Sequence, residues 1–237
     1  MKKTILNKHL YSTKTTTTII TKEQKNIKSF IHKDGFRLNP WFVTGFTDGD
    51  GSFAVSITKK KKEGIGWKIV PMFTIGLDLK DLDLLVQIKD FLKTGNIYTS
   101  KRGVVYYTVG SVKDIVKYII PHFYKFPLVT QKLKDFMLFK EIVLLMEKGE
   151  HKTLPGLLKV FSLKVNLNKG LPTAVKDKFP DILPTILPKY IIPLSINPNW
   201  LAGFITAEGS FYISLYENDK RKAGYAVSLY FSLSQHL

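Results

Sequence analysis

The chain has 237 residues, of which 44% are hydrophobic, with a formal net charge of +17 and no cysteine. That apolar content excludes a disordered tail, and the lack of thiols excludes disulfides, thiolate zinc sites and cysteine nucleophiles, so a bound metal is held by oxygen or imidazole. A sequence pI near 9.8 points to a polyanionic partner, because so much self-repulsion otherwise weakens a compact state.

No run of eighteen apolar residues is present, so no membrane-spanning helix is expected. Of the 36 basic residues only Arg37, Arg102 and Arg221 are arginine, leaving 33 lysines. With abundant Ile, Asn, Tyr and Phe, this is the usage of an A+T-rich gene, as in organellar genomes. Residues 1–38 read as a basic arm whose first 22 positions hold no acid. A targeting peptide without its usual arginines, a disordered segment and a read-through from an upstream exon all fit it.

Residues 39 to 53 read NPWFVTGFTDGDGSF. Asn39 is placed as a helix N-cap, Pro40 as the proline tolerated at the first helical position, and Gly51 as the stop. Phe53, Val55 and Ile57 then alternate with Ala54, Ser56 and Thr58, the pattern of a half-buried strand. KKKKEGIG reads as a polar turn, and WKIVPMFTIGLD resumes a strand with Ile69, Phe73 and Ile75 on the buried parity. Lys80 to Gly95 has Leu82, Leu85, Ile88, Phe91 and Leu92 at helical spacing before a glycine stop. NIYTSK and VVYYTVG read as short strands around the Arg102-Gly103 turn; VKDIVKYIIPHF and QKLKDFMLFKEIVLLMEKG read as helices. The order α-β-β-α-β-β-α predicts an α+β fold, with a curved four-stranded antiparallel sheet carrying helices on one face. After a further helix near 154–168, Pro172, Pro180, Pro184, Pro188 and Pro193 mark a linker.

NPNWLAGFITAEGSF, residues 197 to 211, repeats the opening of this pattern. A shift of 158 positions brings Asn39, Pro40, Gly45, Phe46, Gly51, Ser52 and Phe53 onto identical residues, and Asp50 onto Glu208. Such a repeat means that one structural unit is used more than once. Phe211, Ile213 and Leu215 take inward parity against Tyr212, Ser214 and Tyr216, and Val227, Leu229, Phe231 and Leu233 alternate with Ser228, Tyr230, Ser232 and Ser234. The second repeat reads as incomplete at Leu237, which leaves its apolar row along an uncovered sheet. The expected organisation is an arm at 1–38, a first domain at 39–170, a proline-rich linker at 171–196 and a partial second domain at 197–237.

Asp50 and Glu208 close their helices, where the backbone dipole is negative and a carboxylate is disfavoured by a few tenths to ~1 kcal/mol. Gly45 with Gly49, and Gly203 with Ala207, put small residues four apart on one face of each helix. Two such helices can approach closely, as small-xxx-small pairs do in membranes, and their terminal acids then converge. Adjacent carboxylates at negative helix ends repel unless a divalent cation joins them, so the placement reads as a metal site.

VTGFTDGDG at 43–51 and LAGFITAEG at 201–209 resemble the motif of the LAGLIDADG homing endonucleases in their single-chain, two-repeat form. FTIGLDLKDLDLL, IIPHFYKFPLVTQKLKDFMLF and GEHKT also look like that family, and the resemblance covers residues 39–237. It implies tandem αββαββα repeats with DNA-binding sheets, and cleavage of both strands of a long asymmetric DNA site. It also implies an enzyme encoded in an organellar group I intron, of the fungal mitochondrial type. In the family the motif acids hold divalent metal at the scissile phosphates. Asp50 and Glu208 are accordingly expected to bind Mg²⁺ (or Mn²⁺), with the carbonyls of Gly49 and Ala207 as helpers, and Gln235 to orient water. Leu77 is the first-repeat counterpart of Gln235. Asp48 is read as peripheral because Thr206 takes its place in the second repeat; His122 and His236 are read as structural.

DNA reading is expected from the outward strand faces: Ser52, Ala54, Ser56, Thr58, Lys68, Thr74, Ser210, Tyr212, Ser214, Tyr216, Ser228, Tyr230, Ser232 and Ser234. Lys59, Lys60, Lys61 and Lys62, with Lys220, Arg221 and Lys222, lie in the intervening turns and meet phosphates. Two alternatives stay open: a maturase that binds its own intron RNA, and an inactive truncated remnant. Intact acids favour cleavage. A full-length chain is expected to act as a monomer, and self-pairing of a truncated one through Gly45 and Gly49 stays open.

Overall fold

The computed structural model describes residues 37–60, 66–187 and 193–233. Asn39 accepts a hydrogen bond from the Trp41 N–H at 2.9 Å and Pro40 fills the first turn, which starts helix α1, Pro40–Asp50. Gly51 ends it in extended backbone. Glycine is required there by crowding rather than by φ, since a Cβ would overlap Thr47.

Strands β1 (Gly51–Lys59), β2 (Trp67–Asp78), β3 (Asn96–Thr99) and β4 (Val104–Val109) form one antiparallel sheet in the order β1-β2-β4-β3. Its inner face carries Phe53, Val55, Ile57, Ile69, Phe73, Ile75, Val105 and Tyr107, all buried. Helices pack over that face, two of them around Phe53. The helical run α3 consists of Val112–Asp114, a π turn Ile115–Ile119 and Ile120–Lys125; the π turn stands just ahead of Pro121, which has no N–H to continue a regular ladder. Helix α4 is Lys132–Glu147. Phe123 of α3 and Phe136 and Phe139 of α4 surround Phe53 with ring centroids 5.3, 5.3 and 5.5 Å away.

Helix α2, Leu82–Leu92, lies between the two hairpins and ends differently from expectation. Lys93 itself adopts the left-handed stop at φ 58°, donating its N–H to Lys89 O at 2.8 Å. Gly95, at φ +87°, comes after the helix and is needed where the backbone passes the Tyr107 ring and the Thr108 carbonyl.

The turn Glu150–Lys152 leads into α5, Leu154–Val165, and then α6, Thr173–Lys178. The stretch expected as a linker is packed for much of its length. Leu171 and Val175 are buried, and Phe179 sits against Phe161 at 5.5 Å. Ser162 Oγ donates to Leu183 O and Asn166 Nδ2 to Thr185 O, each at 2.7 Å. The prolines restrict this backbone, while the apolar residues between them anchor it to the first-repeat core.

Asn197 caps α7, Pro198–Glu208, as Asn39 caps α1, and β5 (Gly209–Glu217) and β6 (Tyr225–Leu233) follow as a two-stranded ribbon. Register pairs Phe211 with Phe231, Ile213 with Leu229 and Leu215 with Val227. The apolar row of inward parity lies exposed, as expected of an uncovered sheet, Phe211 by 73% and Leu229 by 78%. Among the described residues no helix lies over it, whereas α3 and α4 cover the same parity of the first sheet. No helix among the described residues is long and apolar enough to cross a membrane.

Candidate functional site

The site begins with two glycines. A Cβ on Gly45 would overlap the Trp200 carbonyl, and one on Gly203 would overlap the Phe42 carbonyl. These contacts are equivalent under the 158-residue shift, so α1 and α7 pack backbone to backbone about a local pseudo-twofold. Toward the C-terminal ends Gly49 meets Ala207, with Glu208 Cγ 3.1 Å from the position of a Gly49 Cβ. The helix pairing therefore carries the Glu208 side chain over the last turn of α1, beside Asp50. The Gly45 face expected to be available for self-pairing is covered by α7 of the same chain.

Electrostatics record the convergence. Burial, then the Glu208 carboxylate, push Asp50 up to about 6; Lys132 pulls the other way and Asp81 adds a smaller push. Lys132, the first residue of α4, brings its ammonium to the end of α1, donating to Thr47 O at 3.0 Å and Gly49 O at 2.6 Å. Burial lowers its pKa, opposed by the carboxylates of Asp48, Asp50, Glu208 and Asp135. No regular spacing links Lys132 to the motif, so the sequence reading missed it. The Gly49 carbonyl, expected as a metal helper, is engaged by this ammonium and keeps its second lone pair.

The fit to a divalent cation follows from the donors. Asp50 and Glu208 are hard oxygen ligands at two negative helix ends, and their mutual repulsion is of the kind that a cation relieves. Among the described residues no cluster of three or more His, Cys, Asp or Glu side chains forms. Two carboxylates leave much of an octahedral shell for oxygens of water and phosphate, the arrangement used when metal binds with its substrate.

Asp48 is not peripheral. It is only 3% exposed and accepts from Val129 N–H and Trp200 Nε1–H at 2.7 Å each, and from the Thr130 hydroxyl at 2.6 Å. Burial raises its pKa against the pull of these donors. The Thr206 comparison misled because Thr206 bonds within its own helix, to Ala202 O at 2.8 Å. His122 is buried, 3.2 Å from the Thr44 hydroxyl, and burial lowers its pKa to about 4.

On the outer face of the first sheet the register sets Ser52 opposite Thr74 and Thr58 opposite Lys68, with Ala54 beside Met72 and Ser56 beside Val70. The same face continues through Thr108 to Asn96 and through Tyr106 to Tyr98. These residues of β3 and β4 were not singled out, although alternation in NIYT and VVYYTV carries their parity. Tyr98 and Tyr106 stack at 5.2 Å, and Gly76 gives the Tyr106 ring room to lie against the sheet. On the second ribbon Ser210 pairs with Ser232, Tyr212 with Tyr230 and Ser214 with Ser228, while Tyr216 faces Ala226. The Tyr212 and Tyr230 rings stack at 4.8 Å. Lys59, Lys60, Lys220, Arg221 and Lys222 are exposed at or near the turns. Lys61, Lys62, Ser234, Gln235 and His236 lie outside the described residues.

A helix pair that joins two repeats and ends in two acids, with polar strand faces leading away from it, defines a two-repeat α+β scaffold. The LAGLIDADG endonuclease family model matches residues 43–143 and 201–237, and the chain belongs to that family. It is similar to the probable intron-encoded endonuclease 2 of Neurospora crassa, 38% identical over 212 residues, covering 84% of this chain and 45% of that protein. Probable intron-encoded endonuclease 3 of the same organism is 35% identical, with 84% and 37% covered. The structure of the I-SmaMI LAGLIDADG homing endonuclease bound to cleaved DNA matches with 40% identity and a TM-score of 0.81, covering 84% of this chain and 67% of that one. The chain spans less than half the length of the two Neurospora relatives.

Proposed function

We propose that this chain acts as a site-specific double-strand DNA endonuclease of the homing type, encoded in a mitochondrial group I intron. The observation that carries the reading is the convergence of Asp50 and Glu208 at the packed ends of α1 and α7, with Lys132 beside them. The intron origin is supported by relatives named as intron-encoded, among them one called Cox1-I1b in Schizosaccharomyces pombe.

In this reading Asp50 and Glu208 hold Mg²⁺ or Mn²⁺, with the Gly49 and Ala207 carbonyls close by. The bound cation supplies charge neutralisation at the scissile phosphate and a lowered pKa for the attacking water. Lys132 keeps its ammonium at the Gly49 carbonyl and directs a remaining proton to a phosphate oxygen, opposing the charge that builds as water attacks and the P–O bond to the leaving oxygen breaks. The lysines of the turns and Arg221 contact the backbone and set register. The serine, threonine and tyrosine faces of β1, β2, β5 and β6, extended by Asn96, Tyr98, Tyr106 and Thr108, meet base edges in the major groove.

The test is Mg²⁺-dependent cleavage of a plasmid carrying the intronless junction of the host gene, comparing the chain with Asp50→Asn and Glu208→Gln. Cleavage that either substitution abolishes supports the reading. An inert chain that still binds intron RNA in a salt-sensitive way would replace it with the maturase reading.

A further inference from the structure

Lys132 is a long side chain at the start of a helix, and its two carbonyl contacts need its backbone held in place. The Gln131 cap makes no side-chain hydrogen bond to the helix. Thr130 supplies the bond instead, its hydroxyl accepting from the Lys132 N–H at 3.2 Å. That hydroxyl donates to Asp48 Oδ1 at 2.6 Å, and the Thr130 N–H reaches the same oxygen at 3.3 Å. Lys132 Nζ then returns to Thr47 O and Gly49 O, one residue on either side of Asp48. The bonds close a circuit from α1, through residues 129 and 130, to the first residue of α4 and back to α1.

One donor in this circuit belongs to the second repeat. Trp200 Nε1 bonds Asp48 Oδ2 at 2.7 Å, sharing that oxygen with the Val129 N–H. The residue equivalent to Trp200 in the first repeat is Phe42, which has no N–H, so the indole donor is a feature of one side only. Trp200 also stacks on Phe204 at 4.9 Å, and that stacking needs no donor.

We propose that Trp200 is a positioning residue for Lys132, acting through Asp48 and Thr130, so that docking of the second-repeat helix sets the ammonium beside the two acids. The proposal rests on the part given to Lys132 under the proposed function. With the indole N–H bonded, Oδ2 of Asp48 has two donors; without it Oδ2 keeps only the Val129 N–H and the carboxylate loses its tie to the second repeat, which loosens its hold on Thr130 and with it the start of α4. Chemistry is thereby tied to the assembly of the two repeats, and a chain whose α7 is undocked binds through its first sheet without a poised lysine.

The test uses the whole chain with Trp200→Phe, which keeps an aromatic ring to stack on Phe204 and removes the donor, and Asp48→Asn as a second variant. Hydrogen–deuterium exchange of residues 129–132 is measured without metal, alongside duplex affinity and single-turnover cleavage at saturating protein. The expected result for Trp200→Phe is a several-fold faster exchange at 129–132, a duplex Kd within about twofold and a cleavage rate lowered about tenfold. Combining it with Lys132→Met should then add no further loss, because both changes remove the same contribution. Unchanged exchange, or losses that multiply in the double variant, would overturn the proposal. If the parent chain does not cleave at all, the endonuclease reading fails by itself, and exchange at 129–132 alone decides whether Trp200 holds the start of α4.

Discussion

Lys132 Nζ donates to the Gly49 carbonyl at 2.6 Å, which places a cation one residue from Asp50. This contact joins the end of the motif helix to a helix that begins more than eighty residues later in the chain, and burial makes the ammonium easier to deprotonate while the surrounding carboxylates keep it charged. Lys132→Met removes the charge and keeps most of the stem. Single-turnover cleavage should fall about 100-fold, the scale for losing one preorganised donor at a developing charge, with duplex affinity nearly unchanged. An equal loss in affinity would show that Lys132 serves binding instead.

Gly45 and Gly203 each face a backbone carbonyl of the opposite helix, Trp200 and Phe42, and neither carbonyl can rotate away as a side chain does. Gly45→Ala or Gly203→Ala must push the helices apart. Each should cost about 2–3 kcal/mol by urea denaturation and also separate the two acids, so that cleavage falls with stability. A stable, fully active Gly45→Ala protein would refute the close packing.

Asp50 carries a cost for its position. Its folded pKa is raised from 3.8 to about 6, so its contribution to stability is complete below pH 3.8 and is lost as pH rises through 6. At neutral pH the metal-free protein therefore holds a destabilising carboxylate. Asp50→Asn should be more stable than the parent by about 1–2 kcal/mol at pH 7.5 without metal, after allowance for solvent screening, and inactive in cleavage. The stability gain should vanish near pH 4. Parent cleavage should need more Mg²⁺ as pH falls below 6, where proton and cation compete for the Asp50 carboxylate.

The first domain was largely legible because its strands are half-buried and its helices amphipathic, so Phe53, Val55 and Ile57 declared their face by period alone. The motif helices were legible through their repeat: Gly45, Gly203 and the terminal acids stand out once the 158-residue shift is made. What escaped depends on tertiary contact. Asp48 reads as peripheral beside Thr206, yet its four donors come from residues more than eighty positions away. Lys132 had no pattern to mark it. The prolines of 172–184 signalled a linker, but period-free apolar residues such as Val175 and Phe179 fasten it to the core.

His122 should govern stability on the acid side. Burial among Phe91, Phe123 and Phe126 lowers its pKa from 6.5 to about 4, so the folded protein resists a proton that the unfolded chain accepts. The resulting stability is fully present above pH 6.5 and is lost as pH falls toward 4, by roughly 3 kcal/mol. Asp50 slopes the opposite way between 3.8 and 6, so the parent alone does not isolate the effect. The difference in unfolding free energy between the parent and His122→Gln, measured at pH 7.5 and pH 4.5, does. It should shrink with acid, and a constant difference would show that His122 is protonated in the fold.

Tyr98 is 51% exposed yet held by its stack on Tyr106, whose ring fits against the sheet because residue 76 is glycine. A rigid aromatic step on a reading face makes contact at little entropic cost, and its ring suits a thymine methyl or a deoxyribose. Tyr98→Ala should weaken binding to the target about 5–10-fold, with the loss concentrated at a few adjacent base pairs of the half-site read by the first sheet, and Tyr98→Phe should retain most of the affinity. The slope of affinity against salt should not change, because no phosphate contact is removed. A profile of binding across single-base variants of the target checks this: a uniform loss at every position would mean that Tyr98 supports the sheet and reads nothing.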